Sequence, residues 1–563
     1  MKGDGISVIG VIPRYPEHSQ YNVYSGVKMP SLGIVFVFSQ LVDFGFKELY
    51  IIDENNYKGP RDFTGMPDHN FLQQREPVKI AMFYGGMSNS IPRMFSLAQQ
   101  YKRFGAVTIA GGSHVDNRPE EALRSGIDIV VHGEGEYTIQ EILEKIVKNG
   151  KVDFDYKELI DVRGISMLDG NGKILPRKER EPIKNLDELV DVDLDLIKFL
   201  EKRWTAIPVS RGRGCNHRCE FCSVNRQYKA SSPEKALRQI IRYSKRGYKD
   251  FFITDDNFAY NINKTIELCK MIGDYRKNSG KKIELTVQVR SEVAENDRLI
   301  EAMRYAGVRT LAIGYESPIN EELKAMNKGV TVEDYIERSK KLSEYFIQIG
   351  MFIFGYPTFK DSKYKSTLTL EQKAKEYIKF FRKAKIDIIQ VLNAVPIPGT
   401  ELRNKLEAEG RLFSLDEIGW KYFDGLFLCY DPTPEGLDPY ELQEIPRMLM
   451  KKRYLGNFVN RNLNYKNWMT WVYNTFGFPI QFGIFYTKRF AHNLDEKRRE
   501  ESLLPRRNIF YEPLVNAWKL DIGKRWRNTY INTHARDIVN GWLKVYRESD
   551  YPERLKKYFS KGS

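Results

Sequence analysis

The stretch R-G-R-G-C-N-H-R-C-E-F-C, residues 211–222, decides how this chain is read, because it sets Cys215, Cys219 and Cys222 in one short loop with C-x3-C-x2-C spacing. A four-iron cluster takes four thiolate ligands when fully coordinated, so a loop with three leaves one iron an open position, where chemistry takes place. A zinc site is the main alternative. Structural zinc prefers four N or S ligands in paired C-x2-C units, and no second pair exists among the five cysteines. The other two, Cys269 and Cys429, stand alone in apolar surroundings and read as buried, inert thiols.

Around this loop the chain alternates strand-like and helix-like runs. At 563 residues it has room for about three domains. Downstream, strands are predicted at 205–210, 250–258, 283–289, 310–317, 349–357 and 386–396, with helical periods between them. Six such units with the cysteine loop after the first strand fit a partial (β/α)6 barrel, whose catalytic groups sit on the loops after the strands. Upstream, strands are predicted at 6–12, 48–53, 79–86, 107–112 and 127–136, with helices at 30–45 and from about Pro92, the pattern of a doubly wound sheet. Ligands of such sheets bind at the carboxyl ends of the strands, so the Gly-, Asn- and Ser-rich loops there should line one crevice. Residues 151–199 are mixed and charged and read as a connector.

From about 401 the alternation stops and a mainly helical, basic and aromatic extension follows. Residues 451–563 hold 23 Lys and Arg against 10 Asp and Glu, which is most of the formal net charge of +15. Within them, Asn467 to Thr487 is an uncharged run of 21 residues containing Trp468, Trp471 and six Tyr or Phe, flanked by Lys466, Lys488 and Arg489. Its Asn, Gln, Thr and Pro479 make it poor as a membrane span. An interfacial element, the mouth of an apolar pocket, or a structural cap all fit. A nucleic-acid contact ranks last, since no recognised RNA-binding module is visible. The N-terminal apolar run is too short for a secretory signal, which points to the cytoplasm, with the extension a candidate for peripheral contact at the inner membrane face.

Further segments carry a family resemblance. Phe221 precedes the third cysteine; D-D-N-F stands at Asp255–Phe258, G-Y-E-S-P at Gly314–Pro318, N-K-G at Asn327–Gly329 and P-I-P-G-T-E-L at Pro396–Leu402. Upstream lie P-S-L-G at Pro30–Gly33, G-G-M-S-N at Gly85–Asn89, A-G-G-S-H at Ala110–His114 and H-G-E-G-E at His132–Glu136. In this order they resemble the radical S-adenosylmethionine (SAM) family with an N-terminal cobalamin-binding domain, including hopanoid methylases and the anaerobic magnesium-protoporphyrin cyclase. W-K-Y-F-D-G at Trp420–Gly425 resembles the segment after the barrel in the same enzymes.

The resemblance implies an α/β chain with a Rossmann-like cobalamin-binding domain (1–150), the connector (151–199), a radical SAM barrel (200–400) and a helical C-terminal domain (401–563). It implies a 4Fe-4S cluster on Cys215, Cys219 and Cys222, SAM against Phe221, Asp255, Asp256, Asn257, Glu316 and Pro398, and cobalamin against Met87, Ser88, Gly111, Gly112, His114, Gly133 and Glu134. Glu316 would orient either a cofactor hydroxyl or a basic neighbour. The cobalt-ligating D-x-H-x-x-G motif is absent after the first strand, leaving the lower axial ligand open, with His18 and His114 as conceivable contacts; a loop histidine bonded to backbone is the plain alternative for His114. The implied reaction is methylation of an unactivated carbon on an apolar substrate, with flavodoxin or ferredoxin as electron donor. An oxidative cyclisation without methyl transfer is the alternative.

Overall fold

The structure, a computed structural model, describes residues 5–16, 28–201 and 203–450 apart from 414, 416–418, 440, 444, 447 and 448. His18 and the basic aromatic stretch from Lys451 onward lie outside the described residues.

The N-terminal half is built on a seven-stranded sheet of β1 (Val8–Ile12), β2 (Leu49–Asp53), β3 (Ile80–Tyr84), β4 (Val107–Gly111), β5 (Ile129–Val131), β6 (Ile165–Met167) and β7 (Ile197–Lys198), in spatial order 6-5-4-3-1-2-7. All neighbours pair in parallel except β6, which runs antiparallel to β5. The central β1, V-I-G-V-I, is buried along its whole length, as expected of a parallel strand covered on both faces. From β1 the chain goes first to β2 on one side and then to β3 on the other. That reversal opens a crevice at the carboxyl ends of β1 and β3.

Residues 151–199, read from sequence as a connector, add both edge strands of this sheet. Their charged composition hid this, because an edge strand of two or three residues needs few apolar side chains.

The second sheet has six strands in sequential spatial order, β8 (Ile207–Val209), β9 (Asp250–Ile253), β10 (Glu284–Val289), β11 (Val308–Glu316), β12 (Ile347–Phe354) and β13 (Ile388–Asn393). Every pair is parallel. The intervening helices are punctuated locally. Ile262–Ser279 starts where the Asn261 side chain accepts from Lys264 N and stops at left-handed Gly280, and Leu370–Lys383 opens with a capping box on Thr369. Strands β10 and β12 alternate buried and half-buried residues. One face packs on the outer helices, while the other, carrying Met351 and Ile353, faces the hollow of an open barrel. Among the described residues, no helix is long and apolar enough to cross a membrane.

Candidate active site

The cysteine loop leaves the carboxyl end of β8 and is closed by a two-residue antiparallel clip in which Gly212 pairs with Ala230 and Arg213 with Lys229. Inside the clip, Cys215 N donates to Asn225 O at 2.8 Å, and Arg226 donates to the carbonyls of Cys219 and Cys222 at 3.1 and 2.9 Å. Gly214 has φ +81°, and a Cβ there would lie 2.2 Å from Gln227 O. Only glycine fits that approach. Cys219 is buried, while Cys215 and Cys222 are half-buried. Among the described residues no three His, Cys, Asp or Glu side chains converge as on a single metal ion. Such convergence is a test for one ion; a four-iron cluster spreads its thiolates, each on a different iron.

Three later loops grip the cysteine loop. Glu220 N donates to Met326 O at 3.1 Å and Leu402 N to Glu220 O at 3.0 Å. The Glu220 carboxylate accepts from Lys405 Nζ at 2.8 Å and Tyr356 Oη at 3.3 Å. Asn327 Nδ2 donates to Arg218 O at 3.0 Å. The loops after β11, β12 and β13 therefore converge on the loop after β8.

The residues expected at SAM divide into two groups. Asp255 faces Arg211. Its carboxylate is fully buried, accepts from Arg211 N at 2.8 Å and lies 3.7 Å from Arg211 Nε, beneath the cysteine loop. Burial pushes its pKa up to about 6, against the pull of Arg211. It supports the loop from below through Oδ1, while Oδ2 makes no hydrogen bond. Asp256 is exposed and accepts from Gly214 N at 3.0 Å, and Asn257 is buried with its Oδ1 unpartnered. Of the two expectations for Glu316, the basic neighbour is what the structure shows: its Oε1 accepts from Lys328 Nζ at 2.9 Å, and that ammonium sits 5.9 Å from the Phe221 ring centroid. Glu316 holds φ +61° beside a register shift in β11, so the strand end is bent to make this pair. Pro398 is buried in the loop after β13, next to Gly399, which packs against Asn117 of the N-terminal half.

In that half, the loops after β3, β4 and β5 carry the residues expected at cobalamin. Met87 is exposed, and Gly111 has only ordinary contacts. A Cβ at Gly112, with φ +127°, would lie 2.6 Å from Gly86 N, so this glycine serves backbone packing between two loops whether or not a ligand is present. His114 is buried with Nδ1 2.9 Å from Ser88 Oγ and Nε2 unpartnered, and its ring meets Trp420 edge-on at 4.5 Å. Burial brings its pKa down to about 3, so the imidazole is neutral. The His114 side chain thus bonds a serine rather than backbone, and its ring packs on a tryptophan from beyond the barrel.

Glu134 faces the cysteine clip. Its carboxylate accepts from Arg213 Nη1 at 2.8 Å, from Lys229 Nζ and from Ile183 N at 2.8 Å, so it binds the cysteine clip. Glu136 takes the other Arg213 nitrogen at 2.6 Å. Sequence reasoning missed Glu136, Arg213 and Lys229. The signal was a cation at each end of the cysteine loop and two acids in G-E-G-E, 77 or more positions away.

Residues 209–370 match the model of the Radical SAM superfamily. An uncharacterized methyltransferase of Pyrococcus horikoshii is 27% identical over 66% of this chain and 76% of its own length. The hopanoid C-2 methylase of Rhodopseudomonas palustris is 23% identical over 42% of this chain and 45% of its own. A solved structure of the cobalamin-dependent SAM radical enzyme OxsB, with aqua-cobalamin and SAM bound, superposes with a TM-score of 0.60 at 15% identity, covering 99% of this chain and 84% of that one. The same two-part α/β architecture is thus shared, and the cysteine clip at the mouth of the six-stranded partial barrel lies within the residues that match the Radical SAM superfamily.

Proposed function

We propose that the chain is a cobalamin-dependent radical SAM methyltransferase acting on an unactivated carbon. The observation that carries this reading is the docking of the two halves: Arg213, beside the cysteines, pairs with Glu134 and Glu136 at the end of β5, and Gly399 after β13 packs on Asn117 after β4. The ligand-binding ends of both sheets therefore face one cleft. The methyltransferase and methylase names of the relatives agree with it.

When bound there, a 4Fe-4S cluster with SAM supplies one-electron cleavage and cobalamin a transferable methyl group. Cys215, Cys219 and Cys222 would hold the cluster. Exposed Asp256 and the unpartnered Oδ1 of buried Asn257 suit an ammonium group, since both are acceptors. The Glu316–Lys328 pair supports Phe221 from below. Gly133 leaves open backbone surface for a large planar cofactor beside the exposed Met87 side chain, while the Ser88–His114 bond stiffens the loop beneath. Half-buried Met351, Ile353 and Leu392 on the barrel strands favour an apolar substrate. Exposed Arg218 and Arg226 on the cysteine loop suit an acidic electron donor such as flavodoxin or ferredoxin. The basic aromatic extension would bring the chain to a membrane surface, which pelleting with anionic but not neutral liposomes would reveal.

The test is anaerobic purification with cobalamin supplied, analysis of iron, sulfide and cobalt, and mass spectrometry of extracts incubated with methyl-deuterated SAM. The expected result is a 4Fe-4S spectrum, retained cobalt and a product heavier by one labelled methyl group. Changing Cys215, Cys219 and Cys222 together to Ala should abolish cluster and SAM cleavage, whereas changing Cys269 and Cys429 should leave both. A cluster-loaded chain that binds no cobalamin, or a product without added carbon, overturns methyl transfer, the latter in favour of cyclisation.

A further inference from the structure

The clip that closes the cysteine loop is unfavourable by itself. Its register puts Arg213 directly opposite Lys229, and like charges facing across an antiparallel pair repel. Neither strand is longer than two residues, so few backbone hydrogen bonds offset that repulsion. What neutralises it comes from the other half of the molecule. Glu134 bridges the two cations, one carboxylate oxygen to each, and Glu136 takes the second Arg213 nitrogen. The Arg213 guanidinium also lies over the Phe36 ring at 4.5 Å, and Lys229 Nζ donates to Ile183 O at 2.7 Å. Every charged side chain in the group is at most 22% exposed, so salt and water screen it weakly.

The acids are held ready from behind. His132, one residue before their turn, is buried with Nδ1 on Asp116 and Nε2 2.7 Å from Ser166 Oγ on edge strand β6, and Gly133 N donates to Asp116 Oδ2 at 3.3 Å. The acidic turn is thus fixed before the clip meets it. The nearest thiolate ligand, Cys215, is two residues from Arg213.

We propose that Glu134 and Glu136 are positioning residues for the iron–sulfur loop: the N-terminal domain closes the clip by supplying the counter-charge its strands lack, so that retention of the cluster depends on the docking of the two halves. The inference rests on the cluster part of the proposed function and is independent of cobalamin.

The experiment uses the full chain, reconstituted anaerobically, with Glu134→Gln, Glu134→Lys, the double variant Glu134→Gln/Glu136→Gln, and the charge swap Glu134→Lys/Lys229→Glu. Iron and sulfide are counted, cluster absorbance is followed after adding an iron chelator, and amide exchange is measured across 212–230. In the Gln and Lys variants the cluster should be lost about tenfold faster or more, the scale of one charge-assisted hydrogen bond, with faster exchange confined to the clip. The swap should restore both rates toward the parent, because it again sets opposite charges on the two positions; confinement of the faster exchange to the clip separates a local role from a general loss of stability. Parental loss and exchange rates in folded Gln and Lys variants, or a swap no better than Glu134→Lys alone, would overturn the proposal. Should the double variant fail to fold, the single variant and its swap decide. A parent that assembles no cluster refutes the cluster assignment instead, and amide exchange across the clip still decides the role of the two acids.

Discussion

Replacing Gly214 by Ala is the sharpest probe of the cysteine loop. The residue sits at φ +81°, where an L side chain costs about 1–2 kcal/mol. The added Cβ would lie 2.2 Å from Gln227 O and 2.9 Å from Asn225 O, both backbone, so the two sides of the loop must part. Such overpacking costs about 1–3 kcal/mol. Asn225 O is also the acceptor for Cys215 N, and losing that bond adds about 1 kcal/mol. Together these come to about 3–6 kcal/mol, or at least two powers of ten in the equilibrium for local opening. The matched control is Gly133→Ala, at φ +66° with nothing within 4 Å, which carries the backbone cost alone. Iron and sulfide per chain after reconstitution, with amide exchange across 212–230, compare the two. Gly214→Ala should hold little cluster and exchange rapidly while melting near the parent. Equal iron content in the two variants would refute the argument that the loop closes through the Gly214 contact.

Two further predictions concern buried charges. Asp255→Ala should cost about 3–5 kcal/mol, because it leaves fully buried Arg211 without its carboxylate, whereas Asp256→Ala should cost about 1 kcal/mol and instead weaken SAM binding; comparable losses in urea melts of the two would sink the assignment. Glu54 is buried against His69 and Arg93; although burial alone would raise its pKa, those partners hold it down at about 2. The stability it contributes is therefore present above its unfolded value near 4.5 and is lost as pH falls toward about 2, some 3 kcal/mol in all. Glu54→Gln should flatten that acid limb of the stability profile, and an unchanged slope between pH 5 and 2.5 would show that other carboxylates govern it.

Much of this molecule was legible in the residue order because its signals are local. Five of the seven N-terminal strands and all six barrel strands are short apolar or alternating runs, and the cysteine spacing needs only eight consecutive residues. The doubly wound and barrel classes follow from alternation alone. The edge strands at Ile165–Met167 and Ile197–Lys198 did not, since their pairing partners decide them and their composition does not. The same holds for the site. Cys215, Cys219 and Cys222 were readable as a set. That Asp255 belongs to Arg211, that Glu134 and Glu136 belong to Arg213 and Lys229, and that His114 lies beneath Trp420 were not. A carboxylate in a loop has the same sequence signature whether it faces a ligand or a buried guanidinium. Which it faces depends on contacts between residues tens to hundreds of positions apart, and packing of the two halves settles that choice because a buried charge must find its counter-charge.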